Sequence, residues 1–411
     1  MSVVRKVQPA DMASHVPTIM STRSSQLTNP TTKRARIMQM VARVFGVFFR
    51  ASETPQIDPQ RIRKIVWIRL DHIGDVVMSL PSLQLLRENF PHAQIDIVIR
   101  PACKTLFDDL KLQDRVLVYD SPRFPQRDSN GRGRGAGLFR TLQFIGKLRR
   151  ENYDMAIEPR GDDIARLLCW MSKTPIRIGP NRIFYQAADA PNLRFVMTHV
   201  SNIADEPKHA VVANCALLQP LLEHRVLEVP PFQFPILESR RERIEKLLQN
   251  RGVNSRFVVL HTCSNDEARN WTTANWAQIA DYFTEQNLDV VLSGIGRDRE
   301  THREIYELSK CSERIHDFAD AIALPDLPAF FSLSQLLVTV DTGPMHIAAF
   351  ANTPIVALFL PHLAPRHAPF GQQEFVVLPP PKFDEPNIED SLEDILVEDV
   401  TNAITCKLEQ Q

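Results

Sequence analysis

The stretch RKIVWIRLDHIGDVV, residues 63–77, constrains this chain more than any other. Its apolar run is continuous, where a sheet with one wet face would alternate. A strand of that kind is buried on both faces, which in a soluble protein places it inside a parallel sheet with helices packed on either side. A polar corner follows at once, and apolar residues at helical spacing resume over 76–88. The same cadence returns. Strands are expected at 95–99, 116–119, 154–158 and 177–178, then at 257–261, 289–293, 336–340 and 355–359. Helical patterns fill the intervals at 138–151, 164–171, 238–249, 276–285, 298–308, 327–333 and 345–351. Strand–helix alternation of this regularity predicts an α/β fold of doubly wound parallel sheets.

The chain has 411 residues, enough for two such units. The proline-rich RVLEVPPFQFP at 225–235 reads as the linker between them. The expected organisation is a leader over 1–60, a first domain over 61–230, a second over 236–411, and a closing amphipathic helix near 390–408. Within the leader, KRARIMQMVARVFGVFFR at 33–50 sets Ile37, Met40, Val41, Val44, Val47 and Phe48 at helical spacing among basic residues. Such a helix either lies in a membrane interface or packs on the body of the protein. Composition excludes some classes. A net charge of −1 gives no field to draw the molecule to nucleic acid. No apolar run reaches the length of a spanning helix, and no signal peptide is visible. The six cysteines are scattered, with no metal-ligand or redox spacing. They read as reduced thiols in a cytoplasmic protein.

Doubly wound sheets bind ligands outside the carboxyl ends of their strands, so residues just after strands are the candidates. Four loops carry them. After the first strand, RLDHIGDVVMSLPS offers Asp71, His72, Gly74 and Asp75. Gly74 allows a backbone shape other residues resist. Asp75 is open to two readings, a helix N-cap or a general base facing a cleft. After strand 257–261, HTCSNDEARNWTTANW supplies the hydroxyls of Thr262 and Ser264 and the charge of Arg269, suited to phosphate or simply solvated. After strand 289–293, SGIGRDRE holds Gly294 and Gly296, which let a ligand approach or make a plain turn, and Asp298 or Glu300 for a ribose hydroxyl. After strand 336–340, DTGPMH opens a helix. Its free N–H groups favour phosphate; Gly343 permits the approach, Thr342 adds a hydroxyl, and Asp341 orients the loop or bonds a ligand hydroxyl. His346 contacts ligand or packs. This corner reads as a pyrophosphate cradle.

Together these segments resemble the bacterial heptosyltransferases, glycosyltransferase family 9. The resemblance rests on IRLDHIGDVVMSLPSLQLLRENFP, NYDMAIEPRG, KHAVVANCALL, ARNWTTANW and, most specifically, DTGPMHIAA. It implies the GT-B fold, two Rossmann-like domains facing a central cleft, with acceptor on the first and nucleotide-sugar on the second. It further implies an inverting glycosyltransferase that needs no metal or other cofactor, taking heptose from ADP-heptose to a lipopolysaccharide core or related glycolipid. By that resemblance Asp75 is the catalytic base, and His72, Gly74 and Arg160 line the acceptor side. Thr262, Ser264, Arg269, Gly294, Gly296, Asp298, Asp341, Thr342, Gly343 and His346 fall on the donor side. The expected location is cytoplasmic, with peripheral contact at the inner membrane through 33–50. The arginines of the loop 128–140 are candidates for acceptor phosphate. A 2-epimerase on the same fold and a catalytically silent nucleotide-sugar-binding protein remain as rivals. A dehydrogenase is disfavoured, because no G-x-G-x-x-G follows the first strand.

Overall fold

A computed structural model describes residues 55–121, 136–181, 193–202, 208–222, 228–253, 256–381 and 390–410. The expected helix 33–50 lies outside these residues, as does most of the loop 128–140. Lys64–Arg69 forms β1, Gln94–Ile99 β2, Arg115–Val118 β3, Met155–Ile157 β4, Ile176–Pro180 β5 and His199–Ser201 β6. They pair in parallel in the order β3-β2-β1-β4-β5-β6. The second sheet contains β7 (Phe257–His261), β8 (Asp289–Leu292), β9 (Ile315–Asp317), β10 (Leu337–Val340), β11 (Ile355–Leu358) and β12 (Val376–Val377). Its order is β12-β11-β10-β7-β8-β9, again parallel. Counted from its own first strand, each half therefore runs 3-2-1-4-5-6, the Rossmann order. Its topological switch lies between the first and fourth strands. These are the two Rossmann-like domains of a GT-B fold.

The helices are α1 (Ile73–Met78), α2 (Leu80–Asn89), α3 (Leu138–Glu151), α4 (Asp163–Met171) and α5 (Ala210–Ala216) in the first half. The second holds α6 (Glu238–Asn250), α7 (Thr273–Thr284), α8 (Arg299–Leu308), α9 (Leu327–Leu333), α10 (Gly343–Ala349), α11 (Ala364–His367) and α12 (Val397–Leu408). The single helix expected at 76–88 is two, breaking at Ser79, whose hydroxyl donates to Val76 O at 2.7 Å. Pro81 in the first turn of α2 explains the break, since it has no N–H to continue the α1 ladder. The closing helix starts at Val397, later than expected, behind a 3₁₀ turn at Leu392–Asp394.

One apolar core runs from Ile65, Trp67 and Val77 of the first half through Phe232 and Phe234 to Met345, Ile347 and Phe350 of the second. The linker is thus anchored. Phe234 N–H donates to Phe350 O at 2.9 Å, and the Phe232 ring packs edge-on against Phe350 at 5.3 Å. Opposite faces of the sheets are closed by Val66, Ile68, Ile145 and Leu148 in the first half and by Val258, Trp276, Val356 and Val400 in the second. Among the described residues, no helix is long and apolar enough to cross a membrane.

Candidate active site

The carboxyl edges of the two sheets meet at the amino ends of α1 and α10. A Cβ added to Gly74 would stand 3.0 Å from His346 Cδ2 and 3.3 Å from Gly343 Cα, and one on Gly343 would stand 3.2 Å from Gly74 N. Space explains these two glycines. Neither is among the positive-φ glycines of the described residues, Gly161, Gly252 and Gly371. This corrects the expectation that Gly74 serves an unusual backbone shape. Each corner opens with a short helix start that must come within van der Waals reach of the other domain's backbone.

On the first half's side, Asp75 is the third residue of α1 and not its cap. The capping position is His72, whose side chain makes no capping bond. The reading of Asp75 as an N-cap is therefore excluded. Its carboxylate is 18% exposed, and Arg69 Nη2 lies 4.0 Å from Oδ1. Burial, then the neighbouring Asp71 charge, raise its pKa, while Arg69, Arg160 and His72 pull the other way. Asp71 itself is buried, with Oδ2 2.7 Å from Arg69 Nε and Oδ1 accepting from Arg160 Nη1. Asn214 Oδ1 takes Arg69 Nη1 at 3.1 Å, and Asn214 Nδ2 donates to Met78 O at 3.3 Å. Arg69 is thereby held on two sides with its third nitrogen toward Asp75. Arg160 arrives from the loop after β4. There Glu158 accepts the backbone N–H groups of Arg160, Gly161 and Asp162, and Gly161 turns the chain at φ 90°. His72 lies beside Asp75, and burial holds it below the usual histidine range.

On the second half's side, Arg269 Nη1 donates to Asp341 Oδ2 at 2.9 Å, joining the loops after β7 and β10. Burial pushes Asp341 up to about 6 despite Arg269, and the charges of Asp75 and Asp266 add to the rise. With Gly74 set against Gly343, the acids Asp75 and Asp341 stand on facing corners of the two halves. Thr342 is the capping residue of α10, yet its hydroxyl makes no bond to its own helix and lies 3.4 Å from Thr339 Oγ1. His346 is buried, its ring packed on Gly74, and it stays neutral because burial and the nearby His367 and His209 hold its pKa well down.

The other donor-side candidates divide. Thr262 is buried with its hydroxyl 3.5 Å from Cys263 Sγ, so it shapes the loop from within. Ser264 N–H donates to Asn270 Oδ1 at 2.7 Å, and its hydroxyl accepts from Asp266 N–H at 3.3 Å. The G-x-G loop serves its own domain. A Cβ on Gly294 would meet Asp298 Oδ2 at 2.7 Å, and one on Gly296 would meet Asp320 Oδ2 at 2.7 Å. Asp298 accepts the Ile295 N–H at 2.8 Å and faces Arg297 at 3.3 Å, so both its oxygens are engaged within its own loop. Glu300 pairs with Arg303 at the surface. Sequence reasoning missed Arg69, Asn214 and Glu158. Arg69 and Asn214 lie 145 positions apart, and the packing of α5 beside the end of β1 brings them together. Among the described residues, no group of three or more His, Cys, Asp or Glu is placed to hold a metal ion.

The fold is shared with known proteins. The family model of glycosyltransferase family 9 (heptosyltransferase) matches residues 141–393. Lipopolysaccharide heptosyltransferase 3 of Escherichia coli is 22% identical over 295 residues, 70% of this chain and 80% of that protein. Among solved structures, a glycosyltransferase family 9 member from Veillonella parvula superposes with a TM-score of 0.70 at 22% identity, covering 85% of this chain and 98% of that one. The E. coli ADP-heptose lps heptosyltransferase II gives 0.67 at 20% identity, over 84% of this chain and 99% of the other. The family match spans more than half the chain, and the two-sheet architecture agrees with it: this protein belongs to glycosyltransferase family 9 and is a glycosyltransferase.

Proposed function

We propose that this enzyme transfers heptose from ADP-heptose, with inversion, to a hydroxyl of a lipopolysaccharide-core glycolipid at the cytoplasmic face of the inner membrane. The donor and acceptor follow the names of its relatives. The mechanism follows the cleft. One observation carries it: an acid with a raised pKa on the first half, Asp75, faces an arginine-bearing corner on the second, Arg269 with Asp341 and the Thr342 turn. The acceptor O–H gives its proton to the Asp75 carboxylate as its oxygen attacks C1 of the sugar. The C1–O bond to the diphosphate breaks, and its electron pair leaves with ADP. A positioned base contributes typically ~10²–10⁴-fold. Arg269 turns from Asp341 to the departing diphosphate, and the Thr342 hydroxyl and first N–H groups of α10 add donors where negative charge grows. In this mechanism these groups supply the positive field, and no divalent metal is called for. Arg160 and His72 border the acceptor's approach to Asp75.

Asp75→Asn is the direct test. The variant keeps the shape and removes a buried charge, so it should melt within a degree or two of wild type and bind ADP normally. Heptose transfer should fall by at least ~10². Near-native transfer by this variant would sink the mechanism.

A further inference from the structure

We propose that the exposed amino-terminal half of α3 is a docking surface for an anionic lipid bilayer. Leu138, Phe139 and Leu142 are 77%, 72% and 50% exposed, although Ile145 and Leu148 on the same helix are buried against the first sheet. Leu138 and Leu142 stand four residues apart and so share a side of the helix, with Phe139 beside them. Three large apolar side chains within two turns form a patch, where single exposed apolar residues would be ordinary. The rim is basic: Arg140, Lys147 and Arg150 are exposed, and no acid occurs between 136 and 150. An apolar face flanked by cations is the chemistry of the headgroup–acyl boundary of a negatively charged membrane.

Two further features make the patch fit that occupant. The helix start is fixed, because Tyr119 Oη and Thr141 Oγ1 lie 3.0 Å apart and the Tyr119 ring packs on Phe144 at 4.9 Å. The three side chains are therefore presented without an ordering cost. Topology sets the direction. The helix follows β3 in a parallel sheet, so its amino end lies at the carboxyl edge that also carries Asp75 and Arg160. A bilayer seated there would bring a membrane-borne acceptor to the edge on which the base stands. The inference rests on the proposed glycolipid acceptor, but insertion is read apart from transfer.

The test uses the full chain with vesicles of phosphatidylethanolamine and phosphatidylglycerol carrying brominated acyl chains. In Phe139→Trp, the new indole should be quenched on adding vesicles. Quenching should weaken with salt and be largely lost when phosphatidylcholine replaces the anionic lipid. A triple Leu138→Ser, Phe139→Ser, Leu142→Ser variant should bind these vesicles at least ~tenfold less, the scale of losing several buried apolar side chains. It should still transfer heptose to a delipidated, water-soluble acceptor as wild type does. If the Phe139→Trp chain sediments with vesicles while its introduced indole stays unquenched, the contact is elsewhere and the proposal is wrong. Equal vesicle binding by the triple variant overturns it too, and equal quenching in phosphatidylcholine removes its electrostatic half. A Phe139→Trp chain that inserts, alongside a wild type that transfers no heptose, would overturn the donor and acceptor reading and leave the docking surface standing.

Discussion

The two halves of this enzyme share one strand order and place one Arg–Asp pair at the same point of it, but with the partners exchanged. In the first half the acid Asp71 follows the first strand and Arg160 follows the fourth. In the second half Arg269 follows the first strand and Asp341 the fourth. Each pair thus bridges the switch point, where a doubly wound sheet leaves a crevice. The first corner adds a second acid, Asp75, and a second arginine, Arg69, so its charges balance internally and one carboxylate is left with a raised pKa. In the second corner Arg269 lies between two acids, Asp341 at 2.9 Å and Asp266 at 3.4 Å, and in the proposed mechanism it leaves them for the donor diphosphate. In the proposed mechanism the same geometry serves as proton acceptor in one half and phosphate grip in the other, according to which residue sits on which strand end.

If that division holds, Arg269→Ala should act on the donor alone. A charge-assisted hydrogen bond to phosphate is lost, about 1.5–3 kcal/mol. Calorimetry should show ADP binding weakened roughly 10- to 150-fold by that energy. Arg269→Lys should recover much of it, because a point charge still reaches phosphate. Unchanged ADP affinity in the alanine variant would dissolve the contrast between the corners.

Asp71→Asn probes the other corner. Burial and then Asp71 raise the Asp75 pKa, so the base loses its proton above the ordinary aspartate range, and activity should fall as pH drops through that raised value. Removing Asp71 takes away a negative neighbour and frees Arg69 and Arg160, both of which favour the ionised form. The acid limb of kcat/KM should move to lower pH. A limb that stays in place, or moves to higher pH, would show that Asp71 merely shapes the loop.

What the sequence allowed a reader to see follows the range of the forces involved. Continuous runs such as 257–261 and 355–359 announce buried parallel strands locally, and all appear where expected. The edge strands His199–Ser201, Ile315–Asp317 and Val376–Val377 are two or three residues long and leave no periodic trace. The helix break at Ser79 was written in Pro81. Asp75, Arg269 and Asp341 were legible as residues following strands, whereas the Asp71–Arg160 pair, 89 residues apart, depends on β1 lying beside β4. Gly74 and Gly343 were visible as constrained positions, but the constraint is the other domain's backbone, which no local pattern encodes.

The smallest expected effect concerns how the halves stay together. His209 Nε2 donates to Ala368 O at 2.8 Å across the interface, while its Nδ1 accepts the Val211 N–H at 3.2 Å. That bonding uses the neutral ring. His346 lies against Gly74, and His367 is brought down to about 4, by burial first and then by Arg269, His209 and Arg366. His209 and His346 are likewise lowered chiefly by burial. A histidine whose folded pKa is depressed stabilises the fold above its unfolded value near 6.5 and loses that contribution as pH falls toward the folded one. For His367 the window runs from about 6.5 to about 4. At the far end of the interface, Arg240 bridges Asp109 of the first half and Asp326 of the second, a contact with no histidine in it. Acidification to pH 5 should therefore lower stability as these rings are driven toward protonation. Exchange protection should fall first in α5 and α10, while the Arg240 end holds. His367→Gln should flatten part of the decline in melting temperature between pH 6.5 and 5. A uniform loss of protection at both ends, with no change in that slope, would mean that the histidines only fill space between the domains.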